Sequence, residues 1–238
     1  MEEYQDTVSR IEREVRAGNT DLSGLGFWRL VRQIKREPAL ARHWADDVGR
    51  IDRLVFESRV RPRFPVWFGN AVLAAAIAIS LILAWLGLRL ARDDPSSFLP
   101  GLLVLGAGVG LSAAVHGPAH WLVGRLAGIR FLAYFLDGPL RIQPGVKVDY
   151  ASYLRASPGA RASMHAAGAV ASKIAPFAVF AWAYLVHRSA GYELLPEWSL
   201  WALLAFGVVQ IVTDVVWSTR RSDWKRVRRE RAIARTAS

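Results

Sequence analysis

The sequence contains no cysteine among its 238 residues. Disulfide bonds, a thiol nucleophile and cysteine-based metal sites are therefore excluded. Histidine is scarce as well, with five in the whole chain, far fewer than a membrane di-iron oxidase needs. Acidic residues number 20 against 31 basic ones, and the formal net charge is +11. Any metal site must therefore be built from a small set of histidines and carboxylates.

Charged residues are also missing from a long stretch near the first third of the chain, VWFGNAVLAAAIAISLILAWLGL. At about 1.5 Å of rise per residue, such a helix crosses a hydrocarbon core of about 30 Å. Three more apolar stretches follow, and the last two contain Lys173 and Asp214, ionisable residues that are costly in lipid and mark functional positions. The predicted spans are residues 66–88, 98–124, 166–186 and 198–217. The sequence therefore predicts an all-α polytopic membrane protein with about four transmembrane helices.

Arginine and lysine lie mainly before the first span, between the second and third, and after the fourth. Because an excess of these residues in short loops marks the cytoplasmic side, both termini are expected in the cytoplasm. The start, MEEYQDTVSR, is acidic and polar, unlike a signal peptide, so the first span is expected to direct insertion. The basic charge is expected to face anionic lipid headgroups of the bilayer, and no motif indicates nucleic-acid binding.

The parts outside the spans have distinct patterns. Apolar residues at helical spacing before the first span, such as Val8, Ile11 and Val15, predict a helical module. Residues 129–155 alternate apolar and polar side chains around turns at 137–139 and 143–145, which predicts two or three short strands. An unpaired strand edge can bind a client peptide as an added strand. The predicted domains are a cytosolic module at 1–64, a membrane domain at 65–217 and a basic cytosolic tail at 218–238.

The candidate chemistry begins in VHGPAHWLVGRLAG, residues 115–128, where His116 and His120 share one helix face. Asp214 lies about 24 Å along its span and His116 about 26 Å along its own, so their depths are similar. Two imidazoles and a carboxylate are three ligands, the number that catalytic zinc takes while leaving a fourth position open. The ordinary alternatives are histidines that only bond across helices and an Asp214 that pairs with Arg220 or Arg221.

The stretches HGPAHWLVGRLAGIR and SPGARASMHAAGAVASK together resemble the site-2 protease family of intramembrane zinc metalloproteases. The matching positions are His116, His120, Arg125, Gly128, Ile129, Pro158, Gly159, Arg161 and Gly168. The resemblance covers roughly residues 99–217. It implies a zinc ion (Zn²⁺) held by His116, His120 and Asp214, and a groove that admits a transmembrane client protein.

Two departures from that family decide the functional interpretation. Gly117 stands where the family has the glutamate that acts as general base, a group typically worth about 10²–10⁴-fold in rate. Pro118 removes a backbone donor and is expected to kink the helix between the two histidines. Asp137, Asp149 and His165 are the candidates to line the groove or to approach the site in place of the missing base.

The leading interpretation is a relative of these proteases that keeps the fold and a zinc site but has lost peptidase activity. One alternative is an active intramembrane zinc metallopeptidase with a substitute base. The other is a bis-histidine haem or copper membrane protein that uses His116, His120, His165 or His187.

Overall fold

The computed structural model describes residues 1–94, 97–137, 143–190, 194–216 and 222–236. The chain forms two compact units, and each is assembled from several separate segments. The first unit contains residues 1–69, 121–164 and 227–238, and the second contains residues 70–120 and 165–226. These units interleave along the sequence.

Four helices form the N-terminal part of the first unit: α1 (Glu2–Arg16), α2 (Phe27–Ile34), α3 (Pro38–His43) and α4 (Ala45–Arg59). The predicted apolar face of α1 is confirmed, since Val8, Ile11 and Val15 are buried. They pack in one core with apolar residues of the other three helices and with the buried Trp44, which lies between α3 and α4. Pro38 begins α3, where its missing N–H has no intrahelical partner to lose.

A small antiparallel sheet and a short helix complete the first unit. The elements are β1 (Arg63–Phe64), β2 (Phe131–Asp137), β3 (Gln143–Val148) and α7 (Tyr150–Arg155). The order is β1-β2-β3, with Phe64 opposite Tyr134. The predicted β element is confirmed. Gln143–Gly145, however, begins β3 rather than forming a turn, because these residues pair with β2; Gly145, for example, lies opposite Phe135. Residues 138–142, part of the predicted first turn and second strand, lie outside the described residues.

The remaining helices of the described residues are α5 (Val66–Asp93), α6 (Phe98–Leu126), α8 (Pro158–Ser189), α9 (Glu197–Val216) and α10 (Asp223–Thr236). Three of them, α5, α6 and α8, are long and apolar enough to cross a membrane. The fourth predicted span forms α9 but is not among these three within the described residues. The predicted number of four spans is therefore supported only as far as three.

The exposed surface of α5 is strongly apolar. Ile79, Leu81, Ile82 and Trp85 each expose more than half of their surface, between 54% and 58%. A continuous apolar face of this kind is unusual on a water-soluble monomer. It is what a helix of bilayer-crossing length presents to lipid.

Glycines bring the helices of the second unit close together. Gly108 of α6 faces the side chain of Leu203 on α9, and Gly207 of α9 faces the ring of Phe177 on α8. Small residues at such positions allow the close helix packing common in membrane proteins. Ser112 also donates a 2.7 Å hydrogen bond to the carbonyl of Ser172, which joins α6 to α8.

Candidate metal centre

The two histidines of the HGPAH stretch lie near the end of α6, which stays continuous through Pro118. Their rings meet edge to face with centroids 4.6 Å apart. The two Nε2 atoms are 3.1 Å apart. Pro118 therefore leaves the spacing of four residues intact, and both imidazoles present the same ring nitrogen to one point.

The carboxylate beside them belongs to Asp223, the first residue of α10. Its Oδ2 lies 3.2 Å from Nε2 of His120 and 3.3 Å from Nε2 of His116. The predicted third ligand, Asp214, lies instead 2.8 Å from Nζ of Lys173. The reason for this difference is electrostatic, because two opposite charges on neighbouring apolar helices compensate each other best as a pair.

The spacing of the three candidate ligand atoms, Nε2 of His116, Nε2 of His120 and Oδ2 of Asp223, is the spacing that a tetrahedral metal requires. Ligands bound about 2.0–2.1 Å from a tetrahedral zinc lie about 3.3 Å from one another. The observed separations of 3.1, 3.2 and 3.3 Å match that value. Two imidazole nitrogens and one carboxylate oxygen are also a donor set that zinc accepts with a fourth position left open. The residues present therefore fit a zinc ion.

A third histidine supports the carboxylate from its other side. Nδ1 of His165, on α8, lies 3.7 Å from Oδ1 of Asp223. Metal-binding groups are commonly oriented by such outer partners. His165 was predicted near this site, and the structure places it beside the ligand Asp223, with its ring 6.3 Å from that of His120.

Electrostatics keep the Asp223 carboxylate ionised. Burial alone would raise its pKa, but interactions with the imidazoles of His116, His120 and His165 outweigh burial and hold the pKa well below its usual range. Its place in the first turn of α10 favours a negative charge too, because of the helix dipole. His120 is nearly covered while the side chain of His116 is 37% exposed, so the site opens on the His116 side.

Two of the other predicted residues, Asp149 and His187, have partners of their own. Asp149 is buried in the first unit and is paired with Arg130 at 3.0 Å and with Arg53 at 3.6 Å. Asp137 ends β2, and its side chain lies outside the described part. His187 accepts a hydrogen bond from the backbone N–H of Leu195. Asp149 and His165 belong to different units, and a groove lined by Asp137, Asp149 and His165 stays a prediction.

Gly117, on the turn of α6 between the two histidines, offers no side chain that could take a proton. Asp223 is the single carboxylate in the ligand group found among the described residues. As a ligand it would be occupied by the metal. Neither of these residues supplies the general base that peptide hydrolysis needs.

The sequence pattern does not predict Asp223 as a ligand. It lies in the basic tail, outside the apolar stretches that contain the predicted ligands. The stretch DWKRVRRE has an acidic residue at the start of helix α10. This feature is common to many helix starts, so it does not identify a metal ligand. No local pattern shows that the first residue of α10 contacts His120, which lies 103 positions earlier in the chain.

No protein-family model, curated protein or solved structure matches the chain. The interpretation of this centre therefore depends on its own geometry and on the residue pattern of the sequence.

Proposed function

We propose that this protein is a membrane-embedded, zinc-binding relative of the site-2 proteases that does not hydrolyse peptide bonds. The observation that carries the proposal is the triangle of His116 Nε2, His120 Nε2 and Asp223 Oδ2, with sides of 3.1 to 3.3 Å. Its support from the sequence is the resemblance around residues 115–129 and 157–173. In this arrangement Asp223 takes the ligand position that the resemblance assigned to Asp214.

Loss of hydrolysis follows from the residues around the centre. Zinc, when bound, would polarise a carbonyl oxygen or a bound water. Proton transfer would still need a side chain, and Gly117 has none. The chain would then hold the metal through two imidazoles and one ionised carboxylate, with His165 keeping the carboxylate in place.

The membrane arrangement is part of the same proposal. We take α9 as a fourth span, since its 20 residues suffice to cross a hydrocarbon core. The distribution of arginine and lysine supports cytoplasmic termini. A transmembrane client protein, bound without cleavage, is the partner that the resemblance suggests.

Zinc content tests the proposal directly. The full chain, purified in detergent without a metal-binding tag, is expected to retain about one zinc per chain, as catalytic-type sites hold a single ion. The variants His116→Ala and Asp223→Asn are each expected to lose it, because two ligands hold zinc poorly. The measurement is elemental analysis by mass spectrometry after dialysis against a weak chelator.

Asp214→Asn is the matched control. It makes the same chemical change on α9 and is expected to leave the zinc content unchanged, since Asp214 pairs with Lys173. Zinc lost in Asp214→Asn but kept in Asp223→Asn would contradict the assignment. Cleavage of a transmembrane helix by the zinc-loaded wild type in liposomes would contradict the absence of peptidase activity.

A further inference from the structure

A cavity of about 420 Å³ lies in the first unit, at the start of α8. Its size is within the range of small-molecule sites. Four cationic side chains line it: Lys35, Arg42, Arg155 and Arg161. No acidic residue is among the described residues that line it.

The positive charge of this cavity is only partly compensated. Lys35 and Arg161 share one carboxylate, Glu230, and Arg155 pairs with Asp46. Arg42 makes no ion pair with any residue that the structure describes. Four cations therefore face two carboxylates, and neither carboxylate is part of the cavity wall. An excess of two positive charges remains for a ligand.

Besides the excess positive charge, the hydrogen bonding of Arg161 independently indicates a ligand. The residue is 2% exposed. Its Nε donates to Glu230 and its Nη1 to the carbonyl of Ala156 at 2.8 Å. Its Nη2 is buried and has no hydrogen-bond partner in the described part of the chain. Native proteins seldom leave such a donor unsatisfied, and an anionic oxygen is its strongest acceptor.

Backbone groups at the same place add to the positive potential. The cavity includes Ser157, Pro158 and Gly159, the first residues around the N-terminus of the 32-residue helix α8. Ser157 Oγ caps the N–H of Ala160, whereas Gly159 keeps an N–H without an intrahelical acceptor. A Cβ built on Gly159 meets open space. Helix N-termini of this kind bind phosphate groups.

We propose that this cavity binds a phosphate group carrying two negative charges, either a phosphomonoester lipid headgroup or free phosphate. The doubly charged form matches the excess of two positive charges. Arginine binds phosphate through two parallel hydrogen bonds, which Arg42 can offer, while Arg161 has its Nη2 group left to donate. Because α8 is one of the three candidate spans, its first residues belong at the level of the headgroups, which favours the lipid.

The test uses the full chain in zinc-free buffer. Binding of phosphatidic acid and of phosphatidylcholine is followed by native mass spectrometry, and binding of inorganic phosphate by calorimetry. The wild type is compared with Arg42→Gln/Arg155→Gln, which removes two exposed cations of the cavity. The matched control, Arg32→Gln/Arg36→Gln, removes two exposed cations of the same unit that do not line it.

We expect phosphatidic acid to bind in preference to phosphatidylcholine, and the cavity variant to bind it at least about tenfold more weakly, since charge-assisted bonds are lost. The control variant should keep wild-type affinity. Inorganic phosphate showing the same pattern would identify a free phosphate as the source. Equal behaviour of the two double variants toward both ligands would overturn the proposal.

Gly159→Leu provides a second test that leaves the charge unchanged. The side chain enters the open space of the cavity and is expected to abolish binding of the phosphate group by exclusion. Retention of full affinity in a monodisperse Gly159→Leu sample would overturn the proposal as well.

Discussion

A single glycine sets the position of one candidate ligand. Gly168 on α8 faces the imidazole of His120 so closely that an added Cβ would overlap the ring. The sequence pattern singled out this glycine through its resemblance to the protease family, without giving it a physical task. The structure supplies one, because His120 can reach its two partners only where α8 has no side chain.

Gly168→Ala is therefore expected to displace His120 and to weaken zinc binding by at least about tenfold, as loss of well-placed support around a metal typically does. Gly106→Ala is the control, since a Cβ at Gly106 of α6 meets nothing within 4 Å. Competition with a fluorescent zinc chelator measures both variants. Equal zinc affinity for the two would contradict the steric role of Gly168.

At the scale of elements, charge pairs hold neighbouring helices together. The local sequence pattern predicts the order of these helices along the chain but not their contacts. Glu12 of α1 accepts hydrogen bonds from Nε and Nη2 of Arg50 on α4, at 3.0 and 2.7 Å. This two-point contact, assisted by Arg16, lowers the pKa of Glu12 to about 2 against the opposing effect of burial. The pair therefore stabilises the packing of α1 on α4 only while Glu12 is ionised.

The pH dependence follows from the direction of that shift. A carboxyl whose pKa is lower in the folded state stabilises the fold fully above its ordinary value of 4.5 and ceases to do so as the pH falls toward 2. The melting temperature of Glu12→Gln is therefore expected to lie below that of the wild type at pH 6 and to approach it near pH 2. Thermal denaturation followed by circular dichroism gives the comparison.

Glu14→Gln is the control for this experiment, because Glu14 is an exposed residue of the same helix. Its melting temperature should follow the wild type at every pH. A difference between Glu12→Gln and the wild type that persists unchanged at pH 2 would contradict the electrostatic explanation.

At the scale of the whole molecule, one buried carboxylate gathers distant parts of the chain. Glu230 of α10 contacts Lys35, accepts a 2.6 Å hydrogen bond from Arg161 Nε and a 2.9 Å bond from the hydroxyl of Tyr153. Burial opposes its ionisation, but the two cations outweigh burial and lower its pKa. Residues 227–236 of α10 are thereby held within the first unit.

Glu230→Gln is expected to destabilise the fold by about 3–5 kcal/mol, because it leaves two buried cations without their counter-charge. Glu57→Gln, an exposed carboxylate of α4, serves as the control and should have little effect. Denaturation curves give the free energies, and limited proteolysis reports release of α10. Wild-type stability in Glu230→Gln would show that the cluster contributes nothing.

Local pattern predicted much of this architecture. The apolar stretches, the periodic residues of α1 and the alternation in β2 each depend on neighbours in the chain, so their lengths and periods identify them. The helices α7 and α10 were not predicted, nor were β1, a two-residue strand that exists only through its pairing with β2, and the start of β3 at a sequence resembling a turn. Pairing partners outside the segment decide β1 and the start of β3.

What the sequence determined by itself is the pair of histidines in the candidate site and the helix that carries them. Histidines four residues apart share a face in any α-helix, and the absence of a side chain at Gly117 needs no structure to recognise. The tertiary structure alone decided that Asp223, and not Asp214, meets those histidines, and that Glu230 joins Lys35 to Arg161. These contacts depend on how whole helices pack, and no period or spacing along the chain encodes a partner more than a hundred residues away.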